Sequence, residues 1–413
     1  MLDFPGAKET TFIFVHAHPD DETLWTGGLI ATAARAGCRV IVVTCTRGER
    51  GEVLALPGTA SENEGWREGK GTALADYRTG ELSRALNKLA AGAEVLIEHY
   101  FLDELPLPEE LRLSQAPQDN NRRYEDSGMV WVASGIAGPT PDSPNSFSSA
   151  PFTPAPLTET TARLSALLSQ ARQHNPDHQL IVVTYEQGGG YLHPDHVRAH
   201  QIAVAAIEQN QTIAQAKYAV ELDQAWEQGA KACAATPLQS VPPKPIELLE
   251  TVVPWDDAAQ SLAALRSAPQ IAALLEPQTG NSSAAVASTL NSNATGNLAD
   301  LVGSCSATRK NRLILPEPLT AAAKPPMVLP PDEQPDVVIP LAPVLANLIA
   351  AMREYATQIQ AAQAIPGLAD QGVLGVFALS NGVLCPIRAT ETYRYHRLTP
   401  TPGGLIGDAR LGQ

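Results

Sequence analysis

An uncharged run of β-branched and aromatic residues, Thr11-Phe12-Ile13-Phe14-Val15, leads directly into His16-Ala17-His18-Pro19-Asp20-Asp21-Glu22. A short apolar block of this kind suits a strand buried on both faces, as in a parallel sheet. Pro19 ends strand pairing, and residues 24–34, small and apolar, predict a helix. Imidazoles and carboxylates therefore gather where a central strand hands over to a helix. In open α/β sheets that edge, outside the carboxyl ends of the strands, is where ligands bind. So many ionisable groups beside a buried strand are costly unless compensated, and a divalent metal compensates them well.

The same alternation recurs along the chain. Residues 39–45, 94–101, 179–185 and 217–222 read as strands, and residues 75–90, 158–174 and 195–208 as helices with apolar residues at helical spacing. Together they predict an α/β fold: a doubly wound, mostly parallel sheet with helices on both faces. Residues 103–157, rich in Pro, Ser, Asn and Asp, form a long loop over the sheet edge that carries the chemistry. Residues 223–340 change to Ala, Pro, Gln, Ser and Asn and predict a partly mobile insert, with low complexity at 281–297 and one amphipathic helix near 258–275. Residues 341–360 predict a helix, and 376–387 a β-hairpin turning at Asn381-Gly382. The expected organisation is a catalytic core at 1–222, the insert at 223–340, and a C-terminal helix and hairpin at 341–413 that complete the core and end in a frayed tail.

With 413 residues, 44% of them hydrophobic, the chain can bury a sizeable core. A net charge of −15 argues against a nucleic-acid or anionic-membrane surface, because both need clustered Lys and Arg. No stretch has the roughly 18 apolar residues of a membrane helix. The start, Met1-Leu2-Asp3-Phe4-Pro5, lacks signal-peptide character, so a cytoplasmic location is expected. Five scattered cysteines give neither a disulfide framework nor a Cys-x-x-Cys clip. A small-molecule ligand fits this composition; oligomeric state is not written in it.

The strand at 179–185 also ends in chemistry, Gln187-Gly188-Gly189-Gly190-Tyr191-Leu192-His193-Pro194-Asp195-His196. His18, Asp21 and His196 can reach one point, and two histidines with a carboxylate form an attested zinc set. Such a set also accepts Fe(II). Asp20 remains as a carboxylate beside the attacking water, whose pKa metal coordination lowers from about 15.7 toward about 7. His193 is placed to stabilise an oxyanion or protonate a leaving nitrogen, and Asp195 to orient one of the imidazoles. These roles describe the hydrolysis of an amide. His16 reads as a buried, hydrogen-bonded histidine, Gly188 to Gly190 as backbone in close approach beneath the site, and Cys45 as a small buried hydrophobe; His99, His174, His178 and His396 carry no assignment.

Ala17-His18-Pro19-Asp20-Asp21-Glu22 paired with His193-Pro194-Asp195-His196 resembles the zinc-dependent de-N-acetylases typified by the glycosylphosphatidylinositol deacetylases, the LmbE-like or PIG-L family. The resemblance implies a Rossmann-like sheet, zinc on His18, Asp21 and His196, Asp20 as general base, and His193 assisting the tetrahedral intermediate. Thr44-Cys45-Thr46, Gly51-Glu52-Val53, residues 77–82, Asp126-Ser127-Gly128-Met129, Gly189-Gly190-Tyr191 and Phe377-Ala378-Leu379-Ser380-Asn381 are similar to the branch that deacetylates N-acetylglucosaminyl-inositol in mycothiol biosynthesis. That implies an amino-sugar substrate whose hydroxyls are held by Glu52, Arg78 and Asp126, and a mobile hydrogen-bond donor in Tyr191. The likeness spans about 10–222 and 341–396; the stretches 103–157 and 223–340 depart from it. A sister branch, the amidase acting on mycothiol S-conjugates, shares the metal motifs. A sugar-binding protein without turnover is a further alternative, against which Asp20 and His193 speak.

Overall fold

The computed structural model describes residues 7–54, 71–109, 111, 123–133, 136–139, 152–231, 244–275, 313–320 and 324–396. In chain order they form β1 (Thr10–His16), α1 (Asp21–Ala36), β2 (Arg39–Thr44), α2 (Thr72–Leu89), β3 (Ile97–Phe101), β4 (Val130–Ala133), β5 (Ile136–Gly138), α3 (Leu157–His174), β6 (Gln179–Tyr185) and α4 (Pro194–Lys231). There follow β7 (Glu247–Val252), α5 (Trp255–Ser267), α6 (Pro269–Leu275), β8 (Val337–Pro340), α7 (Leu345–Glu354), β9 (Gln360–Ala364), β10 (Val373–Ala378), β11 (Leu384–Arg388) and β12 (Thr390–Tyr395).

Seven strands make the central sheet in the order β3-β2-β1-β6-β7-β12-β8. The neighbours from β3 to β7 pair in parallel, and β12 runs antiparallel to both β7 and β8. From β1 the chain winds outward to β2 and β3, then returns to β6 on the other side of β1. That reversal opens a crevice at the carboxyl ends of β1 and β6. The alternation of side chains sorts the core into two layers. Phe12, Phe14, Val40 and Val42 pack with Leu29, Leu82, Leu86 and Leu348 on one face. Ile13, Val15, Ile41 and Val43 pack with Leu164, Leu168, Ile202 and Ile207 on the other. Each such side chain contributes roughly 1.5–3 kcal/mol by leaving water, which is what holds β1 rigid beneath the loop that follows it. The doubly wound, mostly parallel architecture is the one expected. No helix among the described residues is long and apolar enough to cross a membrane.

The outer half of the sheet differs from expectation. Residues 217–222, expected as a strand, belong to α4, which runs unbroken from Pro194 to Lys231. A short apolar alternation is ambiguous between helix and strand, and the Ala and Gln residues before it favour the helix. The strand beside β6 is instead β7, within the stretch expected as an insert, and β8 comes from the same stretch. Two glutamates obscure β7 in the sequence. Glu250, 1% exposed, is compensated by His200 Nε2 at 2.8 Å and His396 Nδ1 at 2.6 Å on one oxygen and by Arg394 Nε at 2.8 Å on the other. Although burial opposes ionisation, those hydrogen bonds pull its carboxyl down to about 2. His396, which carried no assignment, thus helps to join β12 and α4 to β7.

The amphipathic helix expected near 258–275 is two helices, α5 and α6, divided at Ala268 before Pro269. The expected hairpin forms from β10 and β11, with Gly382 at φ 73° in the turn, and β9 adds a third strand. Within the loop region, β4 and β5 form a small hairpin that the composition did not announce. The low-complexity stretch 281–297, the tail after 396 and the chain start at 1–6 lie outside the described residues.

The C-terminal elements close on α1 at Gly27 and Gly28. A Cβ at Gly27 would lie 2.7 Å from Leu348 of α7, and one at Gly28 2.0 Å from Leu341. Beside them the half-buried Glu391 of β12 accepts the N–H groups of Gly28 (2.7 Å) and Leu29 (2.8 Å) and the hydroxyl of Tyr393 (2.8 Å). Burial lifts the Glu391 carboxyl from 4.5 to about 7, against those hydrogen bonds. Between these values the folded chain keeps a proton that the unfolded chain has released, so stability falls as pH rises through the window, by about 3 kcal/mol at most. Glu391→Gln, neutral throughout, is expected to remove that share: comparing urea midpoints at pH 5 and pH 8, wild type should lose more stability than the variant.

Candidate metal centre and active site

The loop joining β1 to α1 is short and strained. Asp20, immediately before α1, has φ 101° and ψ −32°, a conformation that costs an L-residue on the order of 1–3 kcal/mol. Three sets of bonds hold it. Its N–H donates to Glu22 Oε2 at 3.1 Å. Its carbonyl accepts the N–H groups of Thr23 and Leu24 at 3.0 and 2.9 Å. Arg78 of α2 donates through Nη2 to the Pro19 carbonyl at 2.6 Å and lies 3.4 Å from Asp20 Oδ2.

At the end of β6 the chain turns through Gly189 and Gly190, at φ 63° and 81°. Both need the absence of a side chain: a Cβ on Gly189 would meet His196 Cβ and Val197 N at 2.6 Å, and one on Gly190 the Trp25 ring at 2.3 Å. This is the close-approach backbone expected of the glycine run. Glu186 ties the turn by accepting the N–H groups of Gly188 (2.6 Å) and Gly190 (2.8 Å). Tyr191 stacks on Trp25, ring centroids 6.1 Å apart, and meets His196 edge-on at 5.1 Å.

The two loops bring His18, Asp21 and His196 together, all buried, with one potential ligand atom from each within 4.8 Å of the others. His18 Nδ1 and His196 Nε2 each lie 3.3 Å from the same oxygen, Asp21 Oδ2. Ligand atoms about 2.0–2.1 Å from a tetrahedral zinc are separated by about 3.3 Å. The hydrogen-bond partners set the tautomers to match. His196 Nδ1 is 3.0 Å from the Gly189 carbonyl, which can only accept, so the proton sits on Nδ1. Its Nε2 is buried and has no hydrogen-bond partner among the described residues. His18 Nε2 faces Asp195 Oδ2 at 3.3 Å and Asp126 Oδ1 at 3.6 Å, both acceptors, so it carries a proton and leaves Nδ1 toward Asp21. Electron pairs converge on one buried point, and the residues fit a divalent metal.

The electrostatics agree. Burial disfavours charge on His18, yet Asp126, Asp195 and Asp21 around it hold its pKa well above the ordinary value: the cluster draws in a positive charge. Burial likewise opposes ionisation of Asp21, but His196 and His18 pull its carboxyl well below the usual range. Asp20 goes the other way, raised by burial, with Arg78 opposing and Asp21 and Glu22 adding to the rise. His193 accepts the Asp195 N–H on Nδ1 at 3.1 Å, which places its own proton on Nε2. Burial, then His196 and His18, push it down to about 3, so it is a neutral hydrogen-bond donor. His16 is the buried histidine expected, 2.9 Å from Thr26 Oγ1 through Nε2 and lowered to about 4 by burial.

Asp195 turns to His18, and is itself held by the Ser127 N–H (2.8 Å) and the Thr153 hydroxyl (2.5 Å). Asp126 lies in the same cluster, 4% exposed, accepting the Gly128 N–H at 2.7 Å. Arg78, expected on sugar hydroxyls, is 2% exposed and gives its terminal nitrogens to the carbonyls of Pro19 and Gly48. Glu52 is solvent-exposed, its carbonyl accepting from Gln358 Nε2 at 2.9 Å. Ser127, Thr153, Glu186, Glu49 (which accepts the Asp126 N–H at 3.2 Å) and Tyr355 were not foreseen at the site. Ser127 stands beside Asp126 in a quoted motif; for the others no spacing in the sequence pointed to this loop.

Asp195→Asn removes the carboxylate that fixes the His18 tautomer while keeping the side chain's shape. Affinity for zinc, followed by chelator competition, is expected to fall roughly 10- to 100-fold with the fold intact. An unchanged affinity would mean that His18 is oriented by something else.

The family model described as PIG-L, GlcNAc-PI de-N-acetylase, matches residues 13–207. The chain is 38% identical over 197 residues to 1D-myo-inositol 2-acetamido-2-deoxy-alpha-D-glucopyranoside deacetylase 1 of Saccharopolyspora erythraea, covering 47% of this chain and 52% of that protein. It is also 38% identical over 196 residues to the similarly named deacetylase of Kineococcus radiotolerans, covering 47% and 44%. The chain thus spans about half the length of these two relatives. With the deacetylase of that name from Mycobacteroides abscessus it shares 33% identity over 243 residues, 58% of this chain and 70% of the relative. With the paired motifs at the ends of β1 and β6, these matches show that the chain belongs to the PIG-L, GlcNAc-PI de-N-acetylase family.

Proposed function

We propose that this protein is a zinc-dependent deacetylase that hydrolyses the N-acetyl group of N-acetylglucosaminyl-inositol to the free amine and acetate, a step of mycothiol biosynthesis, in the cytoplasm. The observation that carries the reading is the convergence of His18 Nδ1, His196 Nε2 and Asp21 Oδ2 with Asp20 adjoining them and not among the three. The relatives named for this deacetylation supply the substrate.

His18, Asp21 and His196 would hold the metal, which when bound supplies Lewis acidity toward water and the acetamide carbonyl. Asp20 accepts the proton of the attacking water on its carboxylate, and its raised pKa suits that task. Arg78 steadies that carboxylate and the Pro19 carbonyl, a role that replaces direct contact with the sugar. His193, with its proton on Nε2, donates a hydrogen bond to the oxygen that gains charge. Tyr191 stands on the same turn as a neutral phenol and a second donor. Asp195 keeps His18 in its tautomer. Asp126 and Glu52 are the carboxylates proposed for the sugar and inositol hydroxyls.

Metal-stripped protein is expected to release primary amine from N-acetylglucosaminyl-inositol only after zinc is restored. Absence of release with zinc bound would remove this substrate. Asp20→Asn is expected to lower kcat by about 100-fold or more while zinc content stays unchanged; retained turnover would refute the general base. The sister amidase is tested by competition: a preference of more than about tenfold for a bulky thioether conjugate, roughly 1.4 kcal/mol, would replace the deacetylase reading.

A further inference from the structure

Asp20 is held by more than its neighbours in sequence. Its strained backbone depends on Glu22, whose Oε2 accepts the Asp20 N–H at 3.1 Å. The Glu22 side chain is fully buried, and its Oε1 accepts two hydroxyls, Thr23 Oγ1 and Tyr355 Oη, each at 2.5 Å. Thr23 is adjacent in the chain, whereas Tyr355 comes from 333 residues away and is the long-range anchor of the carboxylate.

Tyr355 is itself well fixed. It is fully buried after the end of α7, and its carbonyl accepts the N–H groups of Gln358 (3.0 Å) and Ile359 (2.8 Å). Two residues on, Thr357 donates through N–H and hydroxyl to the Glu81 carboxylate at 2.9 and 2.6 Å. Glu81 lies one turn along α2 from Arg78, whose guanidinium reaches the Pro19 carbonyl and Asp20 Oδ2. Two arms thus leave one α2 platform and meet at Asp20, one on its carboxylate and one, through Tyr355 and Glu22, on its backbone.

We propose that Tyr355 and Glu22 are positioning residues that hold Asp20 in its catalytic conformation, so that a tyrosine outside the family-matched span 13–207 sets the geometry of the reaction. This inference rests on the proposed role of Asp20 as general base. A small misplacement of a catalytic group is expensive, about 100-fold for 1 Å, and release of one of several restraints is expected to cost less.

Tyr355→Phe removes one hydroxyl from a packed ring, with Thr23 still on Glu22. In zinc-loaded protein kcat is expected to fall about tenfold with KM within twofold. In an Asp20→Asn background the same substitution should change the residual rate by less than twofold. Independently of activity, hydrogen exchange at the Asp20 amide should quicken about tenfold while the amides of β1 stay protected. Glu22→Gln, which keeps one acceptor oxygen, should give the same kcat-selective loss if Tyr355→Phe proves poorly folded. An unchanged kcat and an unchanged Asp20 exchange rate would overturn the proposal, as would a loss additive with Asp20→Asn. If wild type releases no amine at all, the deacetylase reading fails, and the exchange measurement still decides whether Tyr355 restrains Asp20.

Discussion

Three carboxylates, Asp21, Asp126 and Asp195, crowd the buried imidazole of His18. Buried like charges repel strongly, and a positive charge among them relieves that repulsion. A proton on His18 meets that need in part, and a divalent metal shared with His196 meets it more fully. Much of the architecture around the site serves this electrostatic demand. The strand reversal between β1 and β6 makes room for it, the Gly189–Gly190 turn brings the His196 lone pair to it, and Ser127 and Thr153 keep Asp195 aimed at it.

Asp20 and His193 stand beside the cluster under the opposite influence. Burial raises one carboxyl and lowers one imidazole, so that each tends toward its neutral form. Neighbouring groups of the same chemical type are thereby driven apart in proton affinity, Asp20 from Asp21 and His193 from His18. Such divergence is what acid–base chemistry at neutral pH requires. The strain at Asp20 belongs to the same design: a residue in a sparsely populated conformation endures only where its surroundings over-determine it, and Glu22, Thr23, Leu24 and Arg78 all bind its loop.

The C-terminal third is part of this machinery and not an appendage. β7, β8 and β12 extend the sheet beyond the family-matched span, α7 lies on α1 where Gly27 admits it, Leu341 before α7 packs at Gly28, and Glu391 binds the backbone of α1 directly. Since Asp21 begins α1, whatever steadies that helix steadies the site. Polar groups buried this deeply are tolerated because each finds partners; Glu250 between Arg394, His200 and His396 is the same solution used to build a strand.

The amino-acid sequence determined the strands β1, β2 and β6 almost to the residue, because uncharged β-branched runs have few other fates in water. It likewise marked His18, Asp21 and His196, since their motifs are local and sit at strand ends. Periodicity failed where local preference was weak or masked: at residues 217–222, where helix formers upstream carried α4 onward, and at β7, where Glu250 looks out of place until its cationic partners are known. Only the tertiary structure decided that Arg78 turns to the Pro19–Asp20 loop, that Asp195 serves His18, and that Tyr355 reaches Glu22. Each of these is a contact between residues far apart in the chain, and such contacts depend on how packed layers bring distant segments together, which no local spacing encodes.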